Sequence, residues 1–266
     1  MKTFNKAILA AAMSVAMGSA TAATFPDFTV DEGSVAGAAA NTFVADKITG
    51  NYVEVATFNN NGTFDLSLQW SAGQFVANDG TTGLNTQLGG FGANGYNMYA
   101  LFQTTGTFST AGGVTNFAFN PGGTLNLSID ANQDTTFGQP ATGNVAWTTG
   151  NTVDDVLIAT GAIINGSGVL DTTLGTCQNG GINCGSFGTT ASFGLVQPAG
   201  GNYFVLPNPF YNVSFESGQL NNFDPTGTQV INGSLDVVFG NVPEPASLAL
   251  VGIGLIGFSL RNRKKA

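Results

Sequence analysis

Apolar and polar residues alternate along most of this chain. Tyr52-Val53-Glu54-Val55-Ala56-Thr57-Phe58 and Thr63-Phe64-Asp65-Leu66-Ser67-Leu68-Gln69-Trp70 carry the period of two that a half-buried strand requires. Between them, Asn59-Asn60-Asn61-Gly62 supplies turn residues, so the pair reads as a hairpin. The same texture predicts strands over Asn97 to Gln103, Thr107 to Ser109, Val114 to Phe119, Thr124 to Asp130 and Asp155 to Ala159. It predicts more over Gly168 to Asp171, Ser186 to Val196, Tyr203 to Leu206, Tyr211 to Glu216 and Ser234 to Phe239. Gly-rich punctuation separates these runs, and the body has no convincing helical spacing. Ser71 to Gly95, rich in Gly and Asn, reads as a long loop. The expected body, residues 24–241, is all-β: an antiparallel β-sandwich, jelly-roll-like, of two packed sheets.

The two ends break this pattern. Lys2 and Lys6 precede an apolar stretch from Ala7 to Met17, and Ala20-Thr21-Ala22 supplies a small-x-small cleavage pattern, so residues 1–23 read as a signal peptide. At the other end, Val242-Pro243-Glu244-Pro245 precedes an uncharged, mostly apolar run from Ala246 to Leu260, and the chain closes on Arg261-Asn262-Arg263-Lys264-Lys265-Ala266. As a single hydrophobic helix those 15 residues reach about 22 Å against a hydrocarbon core of roughly 30 Å, a marginal span. The basic tail favours the cytoplasmic side, which places the body outside the cytoplasm.

A secretory leader at one end, with a Pro-Glu-Pro motif, a short hydrophobic helix and an Arg-containing tail at the other, resembles the PEP-CTERM proteins of Gram-negative bacteria. The resemblance implies residues 242–266 as a sorting signal carried by Pro243, Glu244 and Pro245, with Arg261 and Arg263 in the tail. It implies an exosortase as partner, a membrane-embedded cysteine transpeptidase of cells that make exopolysaccharide. Phe25-Pro26-Asp27-Phe28, Asp46 to Tyr52 and Ile129 to Thr135 resemble the flocculation-associated subset of that class. The C-terminal helix would hold the chain transiently in the inner membrane before delivery to the cell surface or extracellular matrix, and the second resemblance implies its role there. There the body would associate with exopolysaccharide or other surface glycans in flocculation or biofilm.

Charge narrows the function. Two of the seven Lys and Arg lie in the leader and four in the tail, leaving Lys47 alone in the body against fifteen of the sixteen Asp and Glu. Nucleic acid is excluded as a partner, since phosphate binding is driven by Lys and Arg. Histidine is absent, which removes Ser-His-Asp and Cys-His catalysis and His-ligated metal sites.

Candidate chemistry is therefore sparse. Cys177 and Cys184 flank a loop of turn-forming residues, and an even pair in an exported chain reads as a disulfide. Asp130, Asn132 and Asp134 space three side-chain oxygens as calcium loops do, although Thr135 and Ala141 stand where an EF-hand needs Gly and Glu. Calcium is thus the one candidate cofactor, against a solvated turn as the simpler reading. Gly252-Ile253-Gly254-Leu255-Ile256-Gly257 fits G-x-G-x-x-G without the βαβ unit that gives the motif meaning. Glu54, Asp65, Asp154, Asp155, Asp171 and Glu216 could supply the paired carboxyls of a polysaccharide hydrolase, but acids in such runs usually mark the wet face of a strand. Trp70 and Trp147 read as core rather than sugar platforms. The expectation is a non-enzymatic surface or matrix protein.

Overall fold

A computed structural model of the chain describes residues 24–90 and 94–241; the expected signal peptide and sorting segment lie outside the described residues. The strands are β1 (Phe28–Asp31), β2 (Thr42–Ala45), β3 (Lys47–Phe58), β4 (Thr63–Ala77), β5 (Thr82–Gly83), β6 (Asn97–Ala111), β7 (Val114–Phe119) and β8 (Gly122–Asp130). They continue as β9 (Thr136–Gly138), β10 (Thr148–Gly150), β11 (Asp155–Asp171), β12 (Gly185–Ser192), β13 (Gly194–Leu195), β14 (Phe204–Leu206), β15 (Val213–Leu220) and β16 (Gly227–Gly240). Two short helices, α1 (Gly175–Gln178) and α2 (Ala199–Tyr203), interrupt them. Among the described residues no helix is long and apolar enough to cross a membrane.

The main ladder closes on itself. β3 pairs with β4, β4 with β6, β6 with β7 and β8, these two with β11, then β11 with β12, β12 with β15 and β15 with β16, all antiparallel. β16 returns to β3, from Gly227 opposite Phe58 to Val237 opposite Ile48. β7 and β8 share one slot in the wall: Phe119 faces Gly106 and Thr124 faces Gln103 on β6, with Asn120-Pro121 breaking the line between them. The expected all-β antiparallel body is therefore present. Its connectivity corrects the jelly-roll expectation, because the long strands pair in chain order around the wall, with β7 and β8 together filling the place between β6 and β11. The two sheets of the expected sandwich are opposite walls of one eight-slot meander barrel.

Alternation sets the two faces. On β3, Ile48, Tyr52, Ala56 and Phe58 are buried inside, and on β16, Thr228, Val230, Asn232 and Ser234 are exposed outside. An apolar interior with a mainly hydroxyl and amide exterior reverses the pattern of a lipid-facing barrel. The connection at residues 131–154 covers part of the outer wall. Gly143 N donates to Thr57 Oγ1 at 2.9 Å, Trp147 Nε1 donates to the Ser67 carbonyl at 3.2 Å, and the Phe137 ring lies 5.0 Å from Tyr99.

Phenylalanines close both ends. At one end the small sheet β14-β1-β2 brings Phe28 and Phe204 against Phe239, 5.1 and 5.5 Å between centroids, with Phe193 at 4.7 Å from Phe239. At the other, Phe58 meets Phe108 at 5.2 Å and stacks on Phe223, which the β15–β16 connection carries, at 5.8 Å. Edge-to-face and stacked pairs of this kind add to the burial of large apolar side chains.

Glycine makes one internal contact possible. Trp70 donates its indole N–H to the Leu235 carbonyl at 3.0 Å, lying across β3 where Gly50 leaves room. A Cβ at Gly50 would stand 2.3 Å from the Ser71 carbonyl oxygen and 2.4 Å from Trp70 Nε1, whereas at Gly73 on β4 the nearest atom would be 3.6 Å away. Overpacking of this kind typically costs about 1–3 kcal/mol. Gly50→Ala should lower stability by that amount in urea denaturation while Gly73→Ala changes it by less than about 0.5 kcal/mol; equal effects would show that Trp70 moves freely.

Candidate functional site

Two cavities lie in series inside the barrel. The first has a volume of about 60 Å³, with Ile48, Leu68, Trp70, Phe193 and Phe239 among its walls. The second, of about 30 Å³, lies toward Phe58, Phe64 and Phe223. Glu54, Leu66, Phe119 and Phe187 line both.

Two carboxyls project into this apolar space. Glu54 is 5% exposed and Glu216 is 9% exposed. Glu216 accepts from Thr189 Oγ1 at 2.7 Å and from Ser214 Oγ at 2.5 Å, and all three side chains line the first cavity. Glu54 has no hydrogen bond or ion pair among the described residues. Burial pushes its carboxyl up to about 8, and burial pushes Glu216 up to about 7 against the opposing pull of the Ser214 and Thr189 hydroxyls. These acids are not on the wet face that alternation suggested. Glu54 shares its parity with Tyr52, Ala56 and Phe58, which was the available signal, but Val53 and Val55 blurred it. On β15 the pattern misleads outright, since Phe215 is 41% exposed and Glu216 points inward.

The sequence-predicted calcium loop has a different composition in space. Asp130 is buried at the end of β8, while Asn132 and Asp134 are exposed. Asp130, Asp154 and Asp155 are the residues whose carboxylate oxygens come within 4.8 Å of one another. Much of their capacity is already used. Asp130 accepts from the backbone N–H groups of Asp134 and Thr135, each at 3.2 Å; Asp154 accepts from Asn132 N at 2.7 Å; and Asp155 accepts from Thr135 Oγ1 and Tyr99 OH. Partial desolvation, with Asp154, Asp130 and Asp155 nearby, raises the Asp134 carboxyl. These bonds are what a capped turn needs without any ion. The oxygens that remain would suit a hard cation.

Cys177 on α1 and Cys184 are joined, with Cα atoms 4.6 Å apart. The bridge staples the β11–β12 connection, and a loop this short is worth about 2 kcal/mol in the chain-entropy picture. Trp70 is core, and Trp147, within the 131–154 connection, is half-buried against the outer wall. Asp65 accepts from the Asn59 side chain at 3.3 Å, and Asp171 caps Thr173, whose hydroxyl and N–H hold the Asp171 carboxyl low. Pro243, Glu244, Pro245, Arg261 and Arg263 lie outside the described residues.

The interior acids give stability a definite pH dependence. Between their ordinary value near 4.5 and their raised values, the folded chain keeps protons that the unfolded chain has lost. Stability should therefore fall as pH rises from about 4.5, through about 7 for Glu216 and about 8 for Glu54, and level off above. Urea midpoints from pH 5 to 9 should show this fall, and Glu54→Gln should flatten it most between pH 7 and 8. An unchanged slope in that variant would mean that Glu54 ionises without penalty.

Neither a curated protein nor a solved structure matches the chain. Residues 241–264 match the family model described as the PEP-CTERM protein-sorting motif. That motif implies an exosortase as processing partner and an exported protein that transits the membrane. The chain thus carries a PEP-CTERM sorting signal directly behind the last strand of an antiparallel barrel.

Proposed function

We propose that this is a non-catalytic surface or matrix protein, delivered by exosortase processing, that contributes to flocculation or biofilm by associating with exopolysaccharide. The sorting motif at residues 241–264 carries the reading. The outer wall adds support: its exposed Thr, Asn, Ser and Gln side chains can exchange hydrogen bonds with neutral sugars, and the acid-rich body disfavours polyanions. What speaks against the hydrolase alternative is the placement of the two acids that line the cavities. Glu54 and Glu216 stand behind aromatic plugs that a polymer does not pass.

Sorting is tested in the native cell. Glu244→Ala, or removal of Arg261 to Ala266, should leave unprocessed protein in the inner membrane, seen as a full-length band in that fraction. Normal maturation of both variants would remove the sorting reading. Deleting the gene should reduce aggregation, while activity on the cell's own exopolysaccharide that a single Asp or Glu to Ala change abolishes would favour the hydrolase.

The calcium version of this reading uses Asp130 with Asp154 and Asp155, bridging carboxylates between like-charged surfaces. It predicts that calcium raises the melting temperature of the purified protein and that Asp154→Ala, which leaves the Asp130 caps in place, abolishes the rise. No shift in the wild type would make the loop a capped turn and leave adhesion to glycan contacts.

A further inference from the structure

We propose that the barrel interior binds a slender apolar molecule ending in a primary amine, its ammonium at Glu54 and its hydrocarbon along the first cavity. This stands apart from the sorting and adhesion reading. An eight-stranded barrel either fills its interior with side chains or holds one small ligand. Here the phenylalanines fill the two ends and leave space between them. Cavities left by chance in a core are apolar throughout, since a buried polar group with no partner is destabilising. This one holds an unpartnered carboxyl, 5% exposed, at the junction of its two halves.

Glu216 shows what a settled interior acid looks like in the same wall: two hydroxyls answer it. Nothing of the kind answers Glu54, so a donor from outside would supply what the protein withholds. The lining contains no Lys or Arg, and Lys47, the body's single base, is bonded to Asp236 at 3.1 Å. A fatty-acid-like anion would therefore meet only acids, whereas an ammonium would meet a carboxylate in a low-dielectric space. The volume restricts the apolar part to a narrow chain.

Proton balance follows from the same groups. An alkylammonium that displaces the Glu54 proton forms a carboxylate–ammonium pair and releases one proton to solvent. The other titratable groups facing the interior are Tyr52, on the same strand, and Glu216. Asp65 and Asp236, on the flanking strands β4 and β16, alternate to the outer face. Affinity should then rise with pH up to about 8, where Glu54 itself becomes ionised.

Calorimetric titration of the mature protein from native cells with octylamine, octanol and octanoate tests this. Octylamine should bind saturably at one site, octanoate at least tenfold more weakly, and octylamine more tightly at pH 8 than at pH 6. Glu54→Gln should erase the preference for the amine. Leu68→Trp, which fills the first cavity, should abolish binding of all three. Amine binding that survives Leu68→Trp in a folded variant would assign it to surface carboxylates and overturn the proposal. So would equal affinities of amine and carboxylate for the wild type, or no saturable binding of octylamine at all.

Discussion

The pairing of β16 with β3 is the contact on which the rest of the molecule depends. Without it the wall is an open meander with two exposed edges, each a template for other chains. With it every long strand has two neighbours, and the chain acquires an inside and an outside. Tyr52 reaches across this seam to the Gln219 carbonyl at 3.0 Å, and Trp70 crosses it to Leu235. The seam joins the first long strand to the last, so the barrel closes only when nearly the whole body is in place. Such non-local pairing makes for slow folding.

Closure also decides what the interior can contain. A barrel of this girth has no room for a helix, so its ends must be stoppered by side chains from the connections. Phe28, Phe204 and Phe210 do this at one end and Phe223 at the other. Below Phe28 the small sheet is held by Glu32, fully buried, which accepts from Tyr96 OH, Gln87 N and the Asn41 side chain. A buried acid with four donors, Gln87 Nε2 being the fourth, is a structural joint. Glu54 is also buried and has none of the donors, which is why only one of the two reads as waiting for a partner.

Much of this was legible in the alternation, and the failures have physical causes. The Asn59–Gly62 hairpin and the Val114–Phe119 strand were readable because one face is dry and the other wet. β6 and β11 read as two strands each because glycine interrupts the apolar run. At Gly106 a Cβ would meet the ring of Phe64, its partner on the neighbouring strand β4, at 2.3 Å, so the residue is selected by a cross-strand contact that a period-of-two reading cannot register. β1 and β2, four residues each in the small sheet, were not among the strands read. Glu54 was assigned to the wrong face because the 131–154 connection also buries Val55 on the outside, and a strand dry on both faces has no alternation to read. The acid trio was half legible: Asp130 was found from local spacing, but Asp154 and Asp155 reach it only through the β8–β11 ladder, which sets Asp155 opposite Asp130.

The barrel and the sorting signal constrain one another through chain length. β16 ends at Gly240, paired with Val213, and Pro243 follows after only Asn241 and Val242. Two extended residues span about 7 Å. An enzyme that acts at Pro243 to Pro245 must therefore work against the rim of a folded barrel, at the end where Phe28, Phe204 and Phe239 form the plug. Unfolding to gain reach is costly, because β16 is half of the seam and releasing it opens the ladder on both sides. The sorting signal thus follows from the β16 rim of a closed, stoppered barrel, at the end opposite Phe223. Any molecule held at Glu54 would lie inside that barrel, between its two aromatic plugs.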